Sequence, residues 1–202
     1  MARHSRLTTL STLIVLAACS SPPETGEGTT QSGVSDSEAT LPDPQGQAML
    51  ALLESRIEIA QDKFFQLAEA IPEDRYDWRP MDGVRSFREV FIHVAADNWA
   101  PMWADVQTPE DIPVTRDMDS FGAYQDQQLS KEETLAELHR SFEFLLESLD
   151  QTRDRLDESM MFGDQEWRID RMWVALVTHM HEHLGQTIAY ARTNEIVPPW
   201  SR

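Results

Sequence analysis

A chain of 202 residues with 35 acidic side chains against 17 lysines and arginines carries a formal charge of −18. That balance excludes nucleic acid as a partner, because no basic patch is present to neutralise phosphates, and it repels anionic lipid headgroups. A single cysteine leaves no disulfide and no cysteine cluster, so site chemistry falls to histidines and carboxylates.

The first 18 residues read as a leader. Arg3 and Arg6 precede an apolar run that ends at Ala18. This is the basic and hydrophobic pattern of a secretory signal, too short to span a membrane. Leu16-Ala17-Ala18-Cys19 resembles the lipobox of bacterial lipoproteins. The resemblance implies cleavage before Cys19 and lipid on that cysteine. Ser20, rather than an aspartate, implies sorting to the outer membrane, facing the periplasm. Residues 19–44 are rich in Ser, Thr, Gly, Pro and acid. Such a segment cannot bury enough apolar surface to offset its chain entropy, so it is expected to be a disordered tether. The membrane is then contacted through the N-terminal lipid alone, and the folded domain is 45–202.

Within that domain the apolar residues keep a helical period. Leu53, Ile57, Ala60, Phe64, Leu67 and Ile71 recur at steps of three and four, which predicts a first helix from about Gln45 to Ile71. Pro72 stops it. After a loop with Pro80 and Gly83, Ser86 and Glu89 have capping-box spacing. A second helix follows, with Val90, Phe91, Val94 and Ala95 inward and Pro101 near its end. Residues 104–129 have no sustained period. Ser130 and Glu133 form a second capping box, and Leu135, Leu138, Phe142, Leu145, Leu149 and Leu156 mark the third helix. A turn at Gly163-Asp164 leads to a fourth helix from about Asp170 to Thr193, with Asn194 as a left-handed cap. No segment alternates with period two, so no sheet of consequence is expected. The predicted fold class is all-α, a four-helix bundle whose long connection between helices two and three crosses it.

Three of the six histidines fall within five residues, in "HMHEH". On a helix His179 and His183 share a face, whereas His181 lies about 200° round from His179. Leu176, His179, His183, Gln186 and Tyr190 form a seam beside an apolar one, so the two imidazoles sit at the core edge and need partners. A metal ion satisfies both. His93, central in the second helix, adds a third imidazole and completes a catalytic-type set with one open position. Asp97 and Glu182 are candidates for carboxylates behind a ligating ring, and Asp97 also for the general base. Gln186 and Tyr190 are candidates for orienting a substrate. His139 belongs to a solvated face, and His4 leaves with the leader.

Residues 77–99, "DWRPMDGVRSFREVFIHVAADNW", and 179–200, "HMHEHLGQTIAYARTNEIVPPW", resemble the DinB-like (YfiT-like) metal-dependent hydrolase superfamily. The resemblance spans roughly 45–202. It implies an up-down-down-up four-helix bundle and a metal triad of His93, His179 and His183. It leaves His181 outside the motif. Leu184 departs from it, because many members have arginine there. Bundles of this family often pair as homodimers, although nothing in this sequence argues for one.

The expected function is hydrolysis of a small-molecule substrate by metal-activated water, with one divalent transition metal ion, zinc first and nickel, iron, manganese or cobalt as alternatives. The rival is a non-catalytic lipoprotein that holds a metal or small ligand. Thiol-dependent transfer, known among relatives, ranks lower because the thiols concerned are cytosolic and this chain carries an export signal. A third arrangement has the histidines paired with carboxylates and no metal.

Overall fold

The computed structural model describes residues 44–201. The predicted leader at 1–18, the predicted lipidation site Cys19 and all but the end of the predicted 19–44 tether lie outside them. The described chain is mostly helical. It comprises α1 (Pro44–Ala70), α2 (Phe87–Asn98), α3 (Met118–Gln125), α4 (Lys131–Gln151), a hairpin of β1 (Ser159–Phe162) and β2 (Gln165–Arg168), and α5 (Ile169–Thr193). Short 3-10 turns lie at Glu73–Arg75, Ala100–Ala104 and Pro199–Ser201. None of the described helices is long and apolar enough to cross a membrane.

Local sequence signals explain where these helices begin. Ser86 Oγ accepts from the Glu89 N–H (3.3 Å) while Glu89 Oε2 accepts from the Ser86 N–H (2.8 Å), which closes the first capping box. Ser130 and Glu133 repeat the arrangement at α4. The end of α1 is served from a distance. Lys131 Nζ donates to the carbonyls of Glu69 (2.8 Å) and Ile71 (2.7 Å), which offsets the unpaired acceptors of a helix C-terminus.

The predicted stripe of α1 is buried: Leu53, Ile57, Ala60, Phe64 and Leu67 all face inward. α1 packs on α4 and α5, and α2 packs on the same two. Helix α2 is buried nearly all round, so it occupies the interior rather than an edge. Phe64 meets Phe91 edge-on at 6.4 Å and Phe142 at 6.1 Å, so one ring from α1 joins α2 and α4.

Three expectations need correction. The first is that no sheet of consequence was expected, and a small one is present. β1 and β2 pair antiparallel, Phe162 opposite Gln165, around a two-residue turn. Gly163 takes φ 58° at the first turn position, where a tight hairpin favours glycine. The strands are four residues each, too short for a period-two pattern to stand out. The second concerns the third helix, which ends at Gln151 and does not reach Leu156. Thr152 turns its hydroxyl back to the Ser148 carbonyl (2.9 Å) and accepts from Trp173 Nε1 (2.9 Å), which pins the exit to α5. The third is the left-handed residue after α5. Asn194 has φ −93° and spends its amide on the Tyr190 carbonyl (2.9 Å), so the reversal passes to Glu195 at φ 62°.

The long connection is not aperiodic throughout. Asp117 caps α3 by accepting from the Asp119 N–H (3.1 Å), and α3 packs on α2. Its Phe121 and Tyr124 are buried, and Tyr124 donates to Glu137 Oε2 on α4 at 2.6 Å. Burial, and for Tyr124 the neighbouring carboxylate, push the phenols of Tyr124 and Tyr76 well above their usual value. A phenol whose folded pKa is raised contributes stability that is complete below the unfolded value near pH 10 and is lost as pH rises beyond it. Each should cost about 1.4 kcal/mol per pH unit above that point. Alkaline titration followed at 295 nm should show these two tyrosines ionising only together with loss of the helical circular dichroism. Free ionisation of both in the folded chain would contradict the burial.

Candidate metal centre

His93 projects from the middle of α2, and His179 and His183 lie one turn apart on α5. The packing of α2 on α5 brings their Nε2 atoms together: His93 to His179 at 3.0 Å and His183 to His179 at 3.1 Å. All three offered nitrogens lie within 4.8 Å of one another, close enough to hold one metal ion. His93 and His183 are buried, whereas the His179 side chain is 43% exposed and forms the open side. His181 turns away, its Nδ1 against the Val177 carbonyl at 2.8 Å. His139 lies on the exposed face with its ring 3.7 Å from that of Phe65.

The outer nitrogens have their own partners. His93 Nδ1 stands 2.8 Å from Gln125 Oε1 of α3, and His183 Nδ1 stands 2.8 Å from Gln186 Oε1. His179 Nδ1 is 3.5 Å from the carboxylate of Glu182, which is otherwise largely exposed. An acceptor behind each ring favours hydrogen on Nδ1 and leaves the Nε2 lone pair facing inward, as a ligand needs. Gln186 continues outward, donating to the Tyr190 hydroxyl at 2.7 Å. Tyr190 is buried edge-on against Trp78 (5.4 Å) and Phe87 (5.6 Å). Gln186 therefore stands behind His183 and is itself tied to Tyr190.

Asp97, one turn after His93, stands on the other side of the imidazoles. Its Oδ2 is 3.0 Å from His179 Nε2 and 3.4 Å from His93 Nε2, among the inward nitrogens rather than behind a ring. That oxygen is buried, and with hydrogen on each Nδ1 the two nearby Nε2 atoms give it no donor. A buried carboxylate oxygen without a donor is costly, and three inward lone pairs beside it add to the cost. A divalent cation at their meeting point offsets both, so the donor set fits a transition metal ion of the kind imidazole and carboxylate hold.

The electrostatics divide the three histidines. Burial pulls His93 below the usual imidazole value and His183 down to about 4, which keeps both neutral. Asp97, by contrast, raises His179. Two rings are thus held ready to ligate at neutral pH, and the third is tuned by Asp97.

The sequence profile of the DinB superfamily matches residues 56–187, a span that includes all three histidines, Asp97 and Gln125. The chain belongs to the DinB superfamily. Among curated proteins none matches it. In this DinB protein Leu184 is buried among core residues, so that position carries no charge toward the site. One residue at the centre escaped the reading of the sequence. Gln125 ends α3 inside the stretch that lacks a sustained period, where only the short pair Phe121 and Tyr124 hints at a helix.

Proposed function

We propose that this DinB protein binds one divalent transition metal ion through Nε2 of His93, His179 and His183 and hydrolyses a small-molecule substrate in the cell envelope. The observation that carries the reading is the convergence of three imidazole Nε2 atoms on one another, two of them beside a buried oxygen of Asp97. Zinc suits such a set best, with nickel, iron, manganese and cobalt as alternatives. The chemistry that an ion supplies there is Lewis acidity toward a scissile carbonyl or phosphoryl group and acidification of water. The chain's own residues do the rest. His93 and His183 form a buried, neutral floor. Exposed His179 marks the side from which a substrate approaches. Asp97 Oδ2 is the base, placed to take a proton beside the inward nitrogens.

The four helices α1, α2, α4 and α5 are read as an up-down-down-up bundle, supported by their pairwise packing and by the long connection between α2 and α4. The leader and Cys19 support lipid anchoring at the outer membrane, facing the periplasm. A second reading rests on Asp97 itself. If Oδ2 takes a coordination position, three histidines and one carboxylate make a closed tetrahedral site of the structural kind, and the protein holds metal without turnover.

The test begins with the full chain recovered from the membrane fraction, without chelator or added histidines. Metal content by mass spectrometry should give one equivalent. The loaded protein is then assayed on ester, amide and phosphoester panels beside D97N. Turnover that falls by about 10²–10⁴ in D97N with the ion retained supports hydrolysis with Asp97 as base. Retained ion with no turnover in either protein favours the closed site. No ion after exposure to zinc, nickel, iron and manganese would sink both readings.

A further inference from the structure

The ring of His93 is held by a residue from a segment that carries no motif. Gln125 Oε1 stands 2.8 Å from His93 Nδ1, and the same oxygen receives Arg85 Nη2 at 3.3 Å. A guanidinium only donates, so the amide atom that faces Arg85 is the oxygen. The reversed amide would set two donors against each other. With the oxygen fixed as acceptor, the imidazole nitrogen opposite must carry hydrogen. The lone pair of His93 then lies on Nε2 and faces His179 and His183. Arg85, Gln125 and His93 are thus a directed chain in which a surface cation settles the tautomer of a buried ring.

We propose that Gln125, oriented by Arg85, is the positioning residue that keeps His93 in the single tautomer able to ligate a metal ion. The proposal rests on the metal reading above. It also gives α3 a purpose. The support behind His183 is local, since Gln186 lies on the same helix three residues on. The support behind His93 comes from 32 residues away and requires the connection between α2 and α4 to fold back as a helix. Phe121, Tyr124 and the bond from Tyr124 to Glu137 fasten that helix, and Gln125 at its end meets the ring. Gln125 is only partly buried, so its side chain adds little to packing and can be changed without opening the core. The amide is also neutral. A carboxylate at the same place would make His93 a more basic ligand.

The experiment compares the full chain with Q125L, Q125E and R85M. Zinc affinity is read by competition with a chromophoric chelator, and the His93 tautomer by imidazole nitrogen chemical shifts in the metal-free protein. Removing the acceptor in Q125L should weaken zinc binding about 10- to 100-fold, the usual effect of losing a partner behind a ligating histidine. His93 should at the same time pass from one tautomer to a mixture. Q125E should bind at least as tightly as the wild type, and R85M should lose affinity in the same direction as Q125L but by less. Unfolding midpoints without metal should coincide across the set, which separates positioning from structural damage. Wild-type affinity and an unchanged tautomer in Q125L would overturn the proposal. If the wild type takes up no zinc, the metal reading fails, and the nitrogen shifts still decide whether Gln125 holds the ring.

Discussion

H93A should lose the stabilisation that a bound ion gives the wild type. His93 is the one imidazole of the three that α2 supplies, so an ion held by the three histidines, with Asp97 as base rather than ligand, would join α2 to α5 through it. Ligand binding to the folded state alone adds stability that grows with the logarithm of saturation, about 2.7 kcal/mol at one hundred times the dissociation constant. For a domain of this size that is a rise of roughly 5–10 °C in midpoint. The variant keeps only His179 and His183, one turn apart on a single helix with His179 half open to solvent. A pair on one helix can hold an ion without linking anything, so the gain should vanish even where weak binding survives. Each protein is compared with itself, with and without added zinc, because truncating a buried side chain has its own cost. Thermal unfolding followed by circular dichroism makes the measurement. An equal upward shift in H93A and wild type would show that the ion does not bridge the two helices.

The second large effect concerns the core that brings those helices together. Phe64 is fully buried and is the ring that meets both Phe91 of α2 and Phe142 of α4. Replacing a buried phenylalanine by alanine costs about 3–5 kcal/mol, through lost transfer energy and the cavity left behind. Against a total stability of about 5–15 kcal/mol, that is a large share. F64A should therefore shift the denaturant midpoint strongly while leaving the slope unchanged. Because the rings that Phe64 meets are Phe91 and Phe142, which are not in the donor set, zinc added in excess should restore part of the loss by mass action. A change below about 1.5 kcal/mol would mean that Phe91, Phe142 and their neighbours collapse into the space that Phe64 leaves. The two variants thus separate what the site contributes to the fold from what the fold contributes to the site.

Much of this was legible in the chain because it depends on neighbours only three or four residues apart. The stripe of α1, both capping boxes and the shared face of His179 and His183 follow from helical geometry within a single segment. The same geometry set His181 apart, and its ring lies against its own backbone at Val177. His93 stood out as a histidine on the core-facing side of a capped helix. Sequence by itself also determined the acidic balance, and that the lone cysteine can form no disulfide within the chain.

The packing decided what neighbouring residues could not. His93 and His179 are 86 residues apart, and only α2 lying on α5 brings their Nε2 atoms to 3.0 Å. The side on which Asp97 faces the histidines depends on that same crossing, which is why a residue sought behind a ring is found among the inward nitrogens. Gln125 had no signal of its own, because its role exists only once α3 folds back on α2. The hairpin was hidden for a related reason: its strands are too short to show a period, and they are stabilised by pairing across a turn. Helical period and capping are local properties that a sequence carries in plain order, whereas the direction of a lone pair and the place of a buried charge are set by elements that meet only when the chain has folded.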